Sequence, residues 1–208
     1  VFEKEIKASD QDALSQFITN CWDLGLKIGH SVRNIRQTKQ EFDADISTAT
    51  NLIESRFLIG SSSLFHKMNN AIKTSLSIKK FYKLKLQEQA NRHRKFRDSA
   101  YQLEPNIKES PGGLRDLHMI RWLSISQDKG STFKEMYEND LINKIEFKKI
   151  QLHEIKITKR RILLHILSKR IEDRLVFDLQ NELAERLGLK NYKNKKPSEI
   201  VMKSYYKS

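Results

Sequence analysis

Residues 42–60 read FDADISTATNLIESRFLIG. Phe42, Ile46, Ala49, Ile53 and Phe57 recur at three- and four-residue steps, the signature of one face of a helix. Gly60 follows as a C-cap, and Ser61 to Ser63 offer an N-cap for a second stripe of Leu64, Phe65, Met68, Ile72 and Leu76. Outward from this stretch the same period returns. Helices are expected over about 9–20 (Ser9 and Asp12 as a capping pair), 79–98, from Leu114 through Leu123, over 144–170 and over 174–187, which stops at Gly188. Pro197 is expected at the first position of a last short helix, after a basic loop at Lys193 to Lys196. The 208 residues contain only 7 Gly and 3 Pro, far below average usage of about 7% and about 5%. Few turn formers leave room for few, long elements, so the chain is expected to be mainly α.

One segment departs from this period. Trp22, Leu24, Leu26 and Ile28 alternate with Asp23, Gly25 and Lys27, which predicts a short strand with one apolar face. A lone strand carries unpaired backbone groups on both edges, so its partners are expected outside this chain. The chain opens on Val1, not Met, and is expected to be a piece of a longer protein. Thirty-nine Lys+Arg against 26 Asp+Glu give a net charge of +13, which raises phosphate or nucleic-acid binding. The basic clusters, Lys79-Lys80, Arg92 to Lys95, Arg160-Arg161 and Lys193 to Lys196, are scattered, and no nucleic-acid module accompanies them. No apolar run approaches the length of a membrane span. The N-terminus has no signal-peptide core, and the lone Cys21 excludes a disulfide framework or Cys-based zinc site. A soluble cytoplasmic protein is expected.

Chemistry is concentrated at two places. Lys108-Glu109-Ser110-Pro111-Gly112-Gly113-Leu114-Arg115-Asp116 joins a loop to a helix start. Its glycines permit close approach of a ligand, and free N–H groups at the helix start, with Lys108 and Arg115, would favour an anion. The competing reading is a rigid connector with Asp116 helping to cap its helix. No GxxxxGK[ST] loop is present. On the expected strand, Asp23 beside Lys27 could give one carboxylate to a metal, with His30, Ser31 and Arg33 in the turn that follows. Asp43, Asp45 and Glu54 read as helix-surface charge, and the six histidines show no metal-ligand spacing.

The order of these segments carries a resemblance. Trp22 to Arg33, then Asp45 through Arg56, Glu104 to Asp116, Glu172 to Leu175, Phe177 through Gly188, and Met202 with Tyr205-Tyr206 together resemble the bifunctional PII uridylyltransferase/uridylyl-removing enzymes, across almost the whole chain. The glutamine synthetase adenylyltransferases share a looser version and are a lesser alternative. The resemblance implies that residues 1–35 are the C-terminal piece of a polymerase-β-like nucleotidyltransferase domain and that 36–208 are a bundle-like helical domain linked to it. It implies transfer of UMP from UTP to a tyrosine of the PII signal protein, removal through an HD domain absent here, and glutamine as effector. It implies Mg²⁺, with Asp23 as the third carboxylate of the metal site. Lys108 and Arg115 become nucleotide phosphate contacts, Gly112 and Gly113 provide the turn, Asp116 orients Arg115, and His30, Ser31 and Arg33 line the same site. The fragment is expected to be inactive alone. The alternatives are a basic helical nucleic-acid-binding module and a PII-docking module without nucleotide contact.

Overall fold

The computed structural model describes residues 1–96, 103–189 and 196–207, with the side chains of Ala8 and Ser9 left aside. The first helix starts at Ala8 with Lys7, not Ser9, in the cap position, and the expected 79–98 helix ends at Lys95, while residues 97–98 and most of the Lys193 to Lys196 loop lie outside the described residues. The chain divides into two compact units, Val1–Ser77 and Ile78–Ser208. Ten helices are described, none long and apolar enough to cross a membrane.

The first unit holds α1 (Ala8–Asp23), α2 (Ile35–Ala44), α3 (Ile46–Ile53) and α4 (Ser62–Ser75). The expected single helix through 42–57 is two helices. Asp45 adopts extended backbone (φ −128°, ψ 123°), ends α2 and starts α3 by accepting the Thr48 N–H at 2.6 Å. That hydrogen bond, ahead of the other contributions, holds the Asp45 carboxyl below the usual carboxylate range. A short acceptor that satisfies a helix-start N–H competes with continuing the helix. The stripe also stops early: α3 ends at Ile53, and Phe57, Leu58 and Ile59 are exposed. Asn34 and Gln37 form a reciprocal capping box on α2, and Ser61 caps α4 as expected. Phe42, Ala49, Met68 and Ile72 are buried, with Thr38 and Thr50 returning their hydroxyls to Asn34 and Ile46 carbonyls. Each large apolar side chain so buried contributes roughly 1.5–3 kcal/mol.

The expected strand at Trp22–Ile28 is not formed. Trp22 and Asp23 complete the last turn of α1, Gly25 turns the chain at φ +78°, and 26–33 run without ladder partners. Alternation alone cannot make a strand when no neighbouring strand supplies the ladder. The Trp22 indole instead donates to the Ile28 carbonyl at 3.2 Å, and a single bridge joins Phe2 to Asn34.

The second unit holds α5 (Ile78–Lys95), α6 (Leu114–Ile125), α7 (Phe133–Glu138), α8 (Lys144–Ser168), α9 (Phe177–Arg186) and α10 (Pro197–Tyr206). Pro197 sits in the first turn of α10, as expected. Helix α7 went unforeseen, although Thr132 with Glu135 gives it a legible start. The core gathers Ile107, Leu114, Ile157, Leu164, Leu175, Leu183, Val201 and Tyr205 from α6, α8, α9, α10 and the segments before α6 and α9. Helix α8 buries only one side. Ile145, Leu152, Ile155, Ile162 and Ile166 are exposed, and at about 100° per residue they fall on one face.

Burial pushes the Tyr205 phenol up to about 12, against a partial offset from Arg160. A group whose pKa is raised on folding gives stability that is complete below its unfolded value and lost as pH rises through its folded value. The second unit should therefore lose roughly 2–3 kcal/mol as pH rises from about 10 to about 12. Tyr205→Phe should flatten that alkaline limb in denaturant titrations; an unchanged limb assigns it to other groups.

Candidate functional site

The run from Glu104 to Asp116 is a built structure. Ile107 N–H donates to the Asp173 carbonyl at 2.8 Å and Leu175 N–H to the Pro105 carbonyl at 2.9 Å. This two-sided clasp carries both fully buried side chains, Ile107 and Leu175, into the core. Glu104 closes its open end, accepting the Phe177 N–H at 2.8 Å and pairing with Arg174 at 3.0 Å. The Asn106 side chain accepts the N–H groups of Lys108 and Glu109 at 3.0 and 2.8 Å, a local turn that its residue type favours. Ser110 donates its N–H to the Asn106 carbonyl at 2.9 Å while its hydroxyl accepts the Asn106 N–H at 3.1 Å.

The glycines have different reasons. Gly112 lies at φ +77°, where a side chain is strained, but a Cβ would meet nothing within 4 Å. Gly113 has ordinary backbone, but a Cβ there would lie 2.8–2.9 Å from the carbonyl oxygens of Lys108, Ile107 and Ser110. Those carbonyls are close because they accept the helix-start N–H groups. Gly113 donates to Ser110, Leu114 to Ile107 and Arg115 to Lys108, at 2.8, 3.1 and 2.9 Å. The N–H groups expected to be free for an anion are thus taken, so any anion here depends on side chains.

Asp116 anchors this turn from the other side. It accepts the Gly112 N–H at 2.8 Å and the Gln89 amide at 2.9 Å, pairs with Arg92, and lies 3.1 Å from His93 Nε2. It does not orient Arg115, the role expected for it; that guanidinium stacks 5.5 Å from the Trp122 ring centre. Asp173 is held likewise, by Arg161 Nε at 2.6 Å and His165 at 3.1 Å. Burial raises its pKa, but the bonds from Arg161 and His165 and the charge of Lys108 outweigh that and hold it below the usual range.

Lys108 and Arg115 meet at Glu109. Lys108 Nζ and Arg115 Nη2 each lie 3.5 Å from Glu109 Oε1, and Arg92 Nη1 lies 4.0 Å from Oε2. Lys85 is buried beside them, 4.1 Å from the Trp122 ring centre and 2.6 Å from Glu88; burial holds its ammonium below the usual lysine range. Sequence reasoning missed Gln89, Arg92, His93 and Asp173. Lys85, Gln89 and Arg92 share one face of α5 by three- and four-residue spacing, a signal that was legible.

The remaining candidates belong to the first unit. Asp23 is exposed at the end of α1. A cleft of about 450 Å³ is lined by Phe2, Leu14, Ile18, His30, Arg33 and Gln37, among others, and by neither Asp23 nor Ser31. The His30 ring lies 5.8 Å from the Trp22 ring, and Arg33 pairs with Glu41 at 3.7 Å. Asp43 binds the Ser75 hydroxyl at 2.8 Å. Among the described residues no group of three acidic, His or Cys side chains could hold a metal, so Asp23 is a single carboxylate, short of a site.

The two glycines separate experimentally. Gly113→Ala should cost about 2–3 kcal/mol, because rigid backbone oxygens must move. Gly112→Ala should cost about 1 kcal/mol through positive φ alone. Denaturant midpoints of the two variants check the order; the reverse order would remove the contact argument.

The comparisons with known proteins follow this geometry. The model of the family described as GlnD PII-uridylyltransferase matches residues 80–208. A protein of Nitrosospira multiformis named bifunctional uridylyltransferase/uridylyl-removing enzyme is 42% identical over 195 residues, covering 94% of this chain and 22% of that protein. Its namesake in Thiobacillus denitrificans is 41% identical over 200 residues, 96% of this chain and 24% of its own length. The chain therefore spans under a quarter of the length of these relatives. No solved structure matches it. With the matched region running from α5 through the clasp to α10, the chain belongs to the PII-uridylyltransferase family.

Proposed function

We propose that this chain is part of a cytoplasmic uridylyltransferase that transfers UMP from UTP to a tyrosine of the PII signal protein and, through residues elsewhere, removes it under glutamine control. The observation that carries this reading is the family match over 80–208, together with relatives of that name covering nearly all of this chain. In this reading residues 1–35 close the nucleotidyltransferase domain, 36–208 form the helical region attached to it, and the chain alone is inactive. Lys108 and Arg115 contact the phosphates of UTP from the helical region, while Gly112 and Gly113 shape the turn between them. Asp23 gives one carboxylate to Mg²⁺, alongside His30, Ser31 and Arg33. Bound Mg²⁺ would supply charge neutralisation to the triphosphate, and it would need further carboxylates beside Asp23, none of which groups with it among the described residues.

The nucleic-acid alternative loses its footing in the positions of the cations. Arg92 is turned to Asp116, Arg161 to Asp173, and Arg160 is buried, donating to Ser204 at 2.7 Å. The glutamine synthetase adenylyltransferase alternative yields to the family match. The docking alternative keeps one observation in its favour, the exposed apolar face of α8.

Two measurements on the full-length enzyme separate these readings. Lys108→Ala and Arg115→Ala should each raise the KM for UTP about tenfold, a loss of about 1.4 kcal/mol of ground-state binding; unchanged KM and kcat remove the phosphate assignment. Ile155→Ser with Ile162→Ser should leave both constants alone under the main reading. A rise in the KM for PII alone would favour docking through α8.

A further inference from the structure

We propose that the Glu109 carboxylate is a built-in counter-ion that occupies the anion seat formed by Arg92, Lys108 and Arg115, and that a multiply charged phosphate group displaces it. This rests on the reading that Lys108 and Arg115 contact phosphate.

Three cations from three elements converge on this one side chain: Arg92 from α5, Lys108 from the loop and Arg115 from α6. None is in close contact. The separations are 3.5, 3.5 and 4.0 Å, beyond the usual charge-assisted bond of about 2.7–2.9 Å. The neighbouring carboxylates behave otherwise. Asp116 takes a backbone N–H at 2.8 Å and the Gln89 amide at 2.9 Å, and Asp173 takes Arg161 Nε at 2.6 Å. Asp116 and Asp173 are fixed parts of the scaffold; Glu109 is held by charge and little by geometry.

Donor supply points the same way. Two guanidinium groups and an ammonium offer far more N–H groups than the two oxygens of Glu109 can accept. Arg92 Nε is buried with no hydrogen-bond partner. A phosphate presents three oxygens and about two negative charges, and it suits guanidinium forks. The excess of cations is local. Lys85 is matched by Glu88, Arg92 by Asp116 and Arg161 by Asp173, which leaves Lys108 and Arg115 to share Glu109, with Lys108 also 3.9 Å from Asp173 and Arg92 4.0 Å from Glu109.

Displacement does not require the loop to move. The Glu109 N–H is bound to the Asn106 side chain at 2.8 Å, so its backbone stays in place while its side-chain torsions turn the carboxylate out. A singly charged anion gains nothing by this exchange, since it replaces one unit charge with another. The seat therefore discriminates by charge: Glu109 excludes chloride and yields to a polyphosphate.

The test is calorimetric titration of the full-length enzyme with inorganic triphosphate. Glu109→Gln keeps the shape and removes the charge, and should tighten binding about tenfold. Glu109→Asp, whose carboxylate reaches less far, should tighten it less, and serves if the Gln variant fails to fold. In the Glu109→Gln background, Arg115→Ala should return binding to the weak level. Equal affinity in parent and both variants, still lost on Arg115→Ala, overturns the inference and leaves the phosphate reading standing. Absence of triphosphate binding in all of them removes that reading and the inference with it.

Discussion

Asp116 is the side chain on which the second unit turns. A carboxylate largely withdrawn from water must be paired and hydrogen-bonded or it destabilises the fold. Asp116 meets that demand by drawing Gln89, Arg92 and His93 of α5 onto the start of α6 and by fixing the Gly112 N–H. The position of α5, the shape of the glycine turn and the cations left over for Glu109 all follow from this one anchor. Without it, Arg92 would be a half-buried cation with a loose partner at 4.0 Å.

The clasp between 105–107 and 173–175 supplies the second half of the constraint. Its hydrogen bonds satisfy backbone groups that the burial of Ile107 and Leu175 would otherwise strand. Because it ties α6 to the entry of α9, it joins parts of the chain far apart in sequence around a common core. Gln180 seals it, donating to the Leu175 and Leu103 carbonyls at 3.0 and 2.9 Å. Lys108 and Arg115 are thereby presented on a rigid frame with a movable acid between them.

The long helices of the second unit were legible because their apolar period is sustained: Leu114, Pro197 and the 144–170 stretch lie where the pattern puts them, whereas the six-residue α7 is too short to show one. The first unit was harder. Asp45 falls inside a continuous apolar stripe, and periodicity registers Ile46 and Ala49 without noticing that a cap divides them. Alternation at 22–28 met the same limit, since a strand is a property of a pair and one sequence shows one edge. At the site, Lys108, Arg115 and the glycines stood out by composition. Asp116 was read as a cap and Glu109 was given no role, because nothing in the string of letters shows that Arg92, some twenty residues upstream, folds back onto them.

Gly113 shows what a recognisable motif can record. The three carbonyls around it leave no room for any side chain, whatever the loop binds. A descendant of this protein that had stopped handling nucleotides altogether would still need that glycine to fold. The letters by which such a domain is spotted are thus a record of inherited architecture, and they would survive in a pseudoenzyme long after the chemistry had gone.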